Sequence, residues 1–549
     1  MALDSDEIWV AGYHVEDLGT QVDLTKLGVQ DILKFDQGIL MAKKNCKLEI
    51  FHGDYQYVFT IKLKLQHSEE KDGYYIMKGG GKYELEEPPV KKSLSDSTKA
   101  SGVPPEGDGP ISDSKTALRL PCSSKAWGGG GTNLILALRN LSHRRTTNIR
   151  YWDVVFEPSV QDLVGKLQNL HNESKDTSGK FAQDRIDRII DIVAEHGRDE
   201  CIEIFLRTKH IEFNLFQATS GGKKPPPRTN LVFSRVTDGI NTIGDRIILK
   251  SPVTSLTIED HSSAGSMQKD LLVQHIKSSQ SNSSTVVVNT VKHYEVFEAI
   301  LSAFQSRMDA CPDNGAKLFV MFTDDNRAWF ALLKKENESL YQSIRKHVWA
   351  IFNESEFSKF MYEIDSAKKS DASFLFGDGT PNFSALQPLC TQFVHSYQRD
   401  VASRLYVTLG KHGSAGVDEH SRLIYVRTYP TRGVPIYDTT GSGDSWAGTV
   451  ILLEHHARDL GRKSAEMSRF MRIASGTAWA KMTSPLGEVR VHELISLLDN
   501  DYIAWTIIGD TIQGKKPKPE TVNEGGYARR IPKASSIDYQ HYSSIINWM

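Results

Sequence analysis

Cysteine is scarce in this chain of 549 residues: five are scattered as Cys46, Cys122, Cys201, Cys311 and Cys390, with no C-x-x-C pair. An odd, widely spaced set excludes a disulfide framework, argues against a structural zinc and fits a reducing compartment. An excess of charge of one sign is missing too. The 66 Lys and Arg nearly balance 68 Asp and Glu, for a net charge of −2, so no global field draws the chain to nucleic acid or an anionic membrane. No apolar run approaches the roughly 18 residues of a membrane span, and the stretch Met1–Glu7 is acidic where a leader would be basic. The expectation is a cytoplasmic protein with neither nucleic acid nor membrane as partner. With 39% hydrophobic and 24% charged residues, the length allows a large core and about two to four domains.

What is present is concentrated in Gly433-Val-Pro-Ile-Tyr-Asp438-Thr-Thr-Gly-Ser-Gly-Asp444-Ser-Trp-Ala-Gly448. It reads as strand, glycine turn and helix. Trp446, Ala447, Val450, Ile451, Leu452 and Leu453 are apolar on nearly every helical face, the pattern of a helix buried in a large α/β core. Gly441 and Gly443 free the backbone around Ser442, so that successive N–H groups at the helix start point into one pocket and form an anion hole. Asp444 at its mouth is placed to take a proton from an attacking hydroxyl while the N–H groups hold charge building on a phosphoryl oxygen. That chemistry is phosphoryl transfer to an alcohol. The bland alternative is a plain turn with an Asp cap, common wherever a strand hands over to a helix.

D-T-T-G-S-G-D-S-W-A-G resembles the C-terminal signature of the ribokinase-like (PfkB) carbohydrate kinase family, D-T-x-G-A-G-D-x-F. Further islands follow the family's order. Trp127-Gly-Gly-Gly-Gly-Thr-Asn133, leading into a Leu-rich helix, is similar to G-G-x-G-A-N, where the resemblance gives Gly129, Gly130 and Asn133 to the substrate's hydroxyls. Asp17, after the strand Ile8–Gly12, matches an acidic substrate contact. Asn353-Glu-Ser-Glu356 resembles the N-x-x-E motif that holds magnesium through water, a mode that suits a cation reluctant to lose its hydration. Thr408-Leu-Gly410-Lys-His-Gly413 resembles the nucleotide turn T-L-G-x-x-G, and Ser475 stands where an Asn of the family approaches adenine. Asp438, Thr440 and the Thr483–Gly487 turn match the loops that bind a monovalent cation, potassium, in many relatives.

The resemblance implies a three-layer α/β fold with a mainly parallel central sheet flanked by helices, a small β lid and large insertions. Residues 1–500 form the kinase domain on this reading, with lid strands at about 46–66, a flexible Lys-, Glu-, Gly- and Ser-rich insertion at about 68–124, and an extra helical segment at about 142–211. Paired strands are expected at Arg228–Val236 and Asp245–Leu249, and parallel strands joined by a crossover helix at Thr285–Asn289 and Lys317–Thr323. Residues 501–549 are a polar tail whose apolar end, Ile545–Met549, suggests docking; the lid offers a homodimer face. The activity implied is transfer of the γ-phosphoryl group of ATP to a hydroxymethyl group of a sugar or nucleoside, with Mg2+ and K+. The rival is a catalytically idle relative that binds nucleotide or sugar as a sensor or assembly subunit.

Overall fold

The computed structural model describes residues 7–22, 32–36, 39–52, 55–64, 69–78, 81–93, 111–114, 117–122, 124–142, 147–155, 202–217, 228–237, 240–241, 247–252, 264–280, 283–310, 316–364, 376–377, 380–381, 383–394, 404–418, 422–427, 439, 441–457, 466–483, 506–508 and 511–513. Among these, 11 strands form the central sheet. In spatial order, Glu212–Gln217, Asn148–Val155, Glu7–Ala11, Thr285–Val288, Lys317–Met321, Val348–Asn353 and Leu405–Thr408 run parallel. Ser414–Val417, Leu423–Val426, Thr506–Ile508 and Thr511–Gln513 then extend it antiparallel.

Alternation of apolar side chains sets the layers. Ile8, Val10, Val287, Phe319, Ile351 and Tyr406 face one way, into a core shared with the helices Gly130–Leu141, Ser442–His455 and Glu466–Thr483. Trp9, Ala11, Val286, Val288, Leu318, Val320 and Phe352 face the other, into a core with Tyr294–Ala310, Asp324–Glu336, Glu354–Ile364 and Phe383–Phe393. Strands buried on both faces and joined by helices are the mark of a parallel α/β sheet. The helix Ser442–His455 is buried continuously from Ser445 to Glu454, because the sheet and two helices enclose it. The fully buried carboxylate of Glu454 is closed by the Arg404 guanidinium and the Tyr406 hydroxyl.

The strand Glu7–Ala11 is the first in sequence yet sits inside the sheet. From it the chain builds outward through Asn148–Val155 to Glu212–Gln217, then crosses back to Thr285–Val288 and grows the other way. The carboxyl ends of Glu7–Ala11 and Thr285–Val288 therefore flank a topological switch point, where open α/β sheets leave a crevice for ligand.

Three further sheets share a separate core. A six-strand sheet includes Ser124–Gly128, Val15–Val22, Thr229–Thr237, Ile247–Lys250 and Lys82–Glu84 in that spatial order; Lys47–His52 and Tyr55–Thr60 lie in a five-strand sheet, and Tyr74–Lys78 in a four-strand one. Leu18, Leu48, Ile50, Tyr57, Phe59, Tyr75, Met77, Tyr83, Leu118, Leu231 and Leu249 pack together between them. Buried Glu16 pins two of these sheets: it accepts from Lys125 (2.9 Å), the Thr229 hydroxyl (3.0 Å) and Tyr57 (3.4 Å). Burial alone would push its carboxyl up, but Lys91 and Lys125 hold it below the usual range.

The expected strand pairs at 46–66, at Arg228–Val236 with Asp245–Leu249, and across the Tyr294–Ala310 crossover are present. Three boundaries need correction. Residues 68–124, read as a flexible insertion, contain Glu69–Lys71, Tyr74–Lys78, Lys82–Glu84, Val90–Ser93 and Ala117–Pro121; Tyr75 and Met77, Tyr83, and Leu118 and Leu120 bury on one side of their strands, while Glu69–Lys71 and Val90–Ser93 pair at sheet edges and bury no large apolar residue. Within 142–211, Asn148–Val155 is a central strand rather than helix; Ile149 and Tyr151 enter one core, Trp152 and Val154 the other. The tail begins later than 501, since Thr506–Ile508 pairs with Leu423–Val426. The Ile545–Met549 end lies outside the described residues. No helix among the described residues is long and apolar enough to cross a membrane.

Gly12, which ends the first strand, is pressed against the glycine helix: a Cβ there would lie 2.4 Å from the Gly131 Cα. Backbone against backbone leaves no rotamer to yield. Gly12→Ala should destabilise the protein by about 1–3 kcal/mol, read as a lower urea midpoint at unchanged m-value; an unchanged midpoint would show that the two segments part freely.

Candidate active site

The switch-point crevice is lined by three glycine-bearing turns meeting one amide. Asn289, immediately after Thr285–Val288, donates through Nδ2 to the Gly130 carbonyl (2.9 Å) and, at 3.5 Å, toward Asp444 Oδ1. Its backbone N–H donates to the Ala11 carbonyl (2.9 Å), and its own carbonyl accepts from buried Asn326. A Cβ on Gly130 would lie 2.5 Å from Asn289 Oδ1, so only glycine permits this approach.

Asp444 stands in the first turn of Ser442–His455. That helix opens on Gly441 in the left-handed region (φ 70°), the turn that tips its N-terminus toward the crevice. Gly441 packs on Asn133, and the Asn133 side chain hydrogen-bonds Asp444. Ser442 turns its hydroxyl back to the Thr439 carbonyl (2.9 Å), while the space beside Gly443 is open. Burial pushes the Asp444 carboxyl up to about 6, although Asn289, Lys82, Asn133 and Lys481 each favour its charged form. Such a group is a carboxylate at neutral pH and a stronger proton acceptor than a solvated Asp.

The expected acceptor residues gather beside it. Gly129 takes φ 91°, and a Cβ there would meet the Tyr13 carbonyl at 2.5 Å. Asp17 is half-buried on the strand Val15–Val22; its Oδ1 accepts from Asn230 (2.9 Å), and its Oδ2 lies where a Gly128 Cβ would be. Asp17, Gly129, Gly130, Asn133, Gly441 and Asp444, spread over most of the sequence, thus line one crevice. The turn from sheet to lid is anchored by Asp153, which accepts from the His14 ring (2.6 Å), the His14 N–H (3.1 Å) and the Tyr151 hydroxyl (3.3 Å). Sequence reading missed Asn289, Asn326, Asp153 and Asn230. For Asn289 a signal existed, a polar residue closing an all-valine strand; for the others there was none.

The second cluster lies further along the sheet. Asn353 and Glu356 form a reciprocal capping box on the helix Glu354–Ile364: the Asn353 N–H donates to Glu356 Oε2 (3.1 Å) and the Glu356 N–H to Asn353 Oδ1 (2.8 Å). Burial, with the Asp324 charge nearby, pushes Glu356 up to about 7. A single carboxylate tied to its own helix fits holding a hydrated cation at second remove rather than chelating it, and the described residues contain no group of three or more acidic, His or Cys side chains able to hold a metal directly. Asn353 pairs in register with Thr408, and Gly410 (φ 53°) and Gly413 (φ 112°) shape the turn after it, with Gly410 exposed. Ser475 is a correction. It is buried and donates to the Met471 carbonyl one turn back (2.9 Å), the usual habit of a mid-helix serine, so it offers no hydroxyl to a base. Asp438 and Thr440 lie outside the described residues.

No family model and no curated protein matches the chain. Solved structures do. It is similar to Arabidopsis thaliana ribokinase complexed with ribose and ATP (11% identity, 89% of this chain and 97% of that one, TM-score 0.41). It is also similar to Burkholderia thailandensis nucleoside kinase in complex with inosine (10%, 89% and 96%, 0.38) and to Schistosoma mansoni adenosine kinase in complex with adenosine (11%, 86% and 94%, 0.38). The chain's own strand order makes it a mixed α/β protein with a large, mainly parallel sheet between helices. Its site is read from its own geometry.

Because Asp444 is raised, the acid limb of any reaction it serves as base should fall near pH 6 in kcat/KM, not near the ordinary carboxylate value of about 4. The same shift carries a sign for stability. A carboxyl raised on folding binds more protons in the native state, so stability falls as pH rises from about 4 to 6, and the cost persists above. Asp444→Asn should therefore unfold at equal or higher denaturant than the parent at pH 8. A marked loss of stability there would show that the charged form is held favourably.

Proposed function

We propose that the chain is an ATP-dependent phosphotransferase acting on a hydroxymethyl group of a sugar or nucleoside. The observation that carries the reading is the Asp444 carboxyl, raised and held by Asn289 and Asn133 at the N-terminus of a buried helix over the switch point. In this reading Asp17, Asn133 and the Gly129–Gly130 turn orient the acceptor. Asp444 takes the hydroxyl proton as the oxygen attacks, and the N–H groups of the Gly441-Ser442-Gly443 turn stabilise charge on the phosphoryl oxygens. Magnesium, when bound, would neutralise the donor phosphates, with Asn353 and Glu356 orienting its water shell and Thr408, Gly410 and Gly413 lining the donor's path. The K+ site assigned to Asp438 and Thr440, the cytoplasmic location, and the dimer through the lid belong to the same proposal.

Labelled ATP with a panel of sugars and nucleosides tests it. A phosphorylated product should form with at least one acceptor, and Asp444→Asn should lower turnover by roughly 10²- to 10⁴-fold with folding intact. Equal turnover of variant and parent would remove Asp444 from the role.

The inward Ser475 and the self-engaged capping box favour the second reading, an idle binder. Saturable nucleotide binding without transfer to any acceptor would establish it. The two roles of Glu356 separate by substitution. Gln preserves the capping box and Ala does not, so Glu356→Gln should keep the parent's stability yet need more magnesium, while Glu356→Ala should lose about 0.5–2 kcal/mol of stability as well. Superimposed magnesium titrations of parent and Glu356→Gln would leave the box as its only role.

A further inference from the structure

The six-strand lid sheet has two unlike faces. Its register places Tyr83 opposite Leu249 and Leu231 opposite Leu249, and all three are buried in the lid core. Side chains alternate along a strand, so the neighbours of these residues project from the opposite side: Asp17 beside Asn230, then Ile248 beside Lys82, with Lys250 two residues on. Asp17 lies against Gly128 in the crevice, which identifies that side as the one facing the site.

Two cations on this face, Lys82 and Lys250, have no close anion among the described residues: Glu84, the register partner of Lys250, is engaged by Lys64 at 2.5 Å. Among the described residues the Nζ of Lys82 and of Lys250 makes neither a hydrogen bond nor an ion pair. Lys292, by contrast, is paired with Asp325 at 2.7 Å and lies over the Tyr13 ring. The Lys82 charge acts on both Asp444 and Glu356. Lys250 is held down to about 8 by burial and by the charges of Lys82 and Lys292, against the partial support of Asp325 and Asp324. A half-buried lysine beside two other cations is costly without an anion to answer it.

We propose that Lys82 and Lys250 form an anion clamp on the underside of the lid that receives phosphoryl oxygens in the cleft above Asp444. The phosphate is either the terminal one of the donor or one already carried by the acceptor; the proposal rests on reading the cleft as a phosphoryl-transfer site. It gives the lid a chemical task besides excluding water. The clamp closes only when an anion is present, because without one the two lysines repel.

Binding measurements on the full chain test this without turnover, so a failure of the kinase reading and a failure of the clamp are separable. Calorimetry with inorganic tripolyphosphate probes the donor source; ribose 5-phosphate compared with ribose probes the acceptor source. Lys82→Met and Lys250→Met should each weaken one of the two anions by about tenfold, the scale of one charge-assisted contact, and leave ribose unaffected. Loss confined to tripolyphosphate assigns the clamp to the donor, and loss confined to ribose 5-phosphate assigns it to the acceptor. In the parent, anion affinity should also drop as pH rises through 8, where Lys250 loses its proton, and Lys250→Met should flatten that dependence. Lys82 is exposed, so its variant should fold. The exposed Lys71→Met is the control for net charge. The clamp is overturned if the parent binds neither anion, if both lid variants bind them as the parent does, or if Lys71→Met costs as much.

Discussion

The site depends on one side-chain amide. Asn289 leaves the end of a fully buried strand with its N–H bonded to the first strand, its Nδ2 reaching the Gly130 carbonyl and Asp444, and its carbonyl held by Asn326. Each contact comes from a different stretch of chain. The side-chain amide donates to a carbonyl and toward a carboxylate with no charge of its own to desolvate, and the main-chain N–H and C=O fix where it stands. Around it the glycines have separate tasks: Gly130 makes room for Asn289, Gly129 and Gly441 supply left-handed turns, and Gly12 and Gly131 let two backbones touch. Shift the amide, and both helix N-termini lose their common reference.

Low dielectric acts on the crevice with one consistent hand. Burial raises Asp444 and Glu356 and lowers Lys250, which pushes acids and base alike toward neutrality. Groups so placed gain from a ligand that brings opposite charge, because the desolvation is already met in the fold. An anion and its counter-cation entering together would restore the charged forms of all three. The proposed phosphoryl chemistry would draw on these shifts, and they differ from an ordinary capped helix, whose Asp would face water.

The β domain answers a different constraint. Its strands come from 15–22, the segments between 33 and 128, and 229–250, so it forms only when distant parts of the chain have met. Glu16 shows how its sheets are held in relation: a buried carboxylate would be costly, but Lys125, Lys91, Thr229 and Tyr57 reach it from both sheets. The domain is thereby tied to the same strand that carries Asp17.

The sequence alone determined the strongly periodic and strongly constrained elements. All-round apolarity fixed the buried helix after Asp444, alternation fixed the pairs at 47–60 and 229–250, and glycine spacing marked the turns at 128–131, 410–413 and 441–443, because such patterns leave the backbone few other choices. Tertiary structure decided the rest. Asn148–Val155 read as helix because Tyr151 and Trp152 fit either period, and only two facing cores made it a strand. The short strands of 69–93 were invisible because their few large apolar residues, Tyr75, Met77 and Tyr83, acquire meaning only in the core they share with Leu48, Leu231 and Leu249. Local spacing also could not tell that Lys82 and Lys250 would share a face with Asp17, or that Asn230 would stand beside it. Those are facts of register between strands far apart in the chain, and register is set by which side chains bury together.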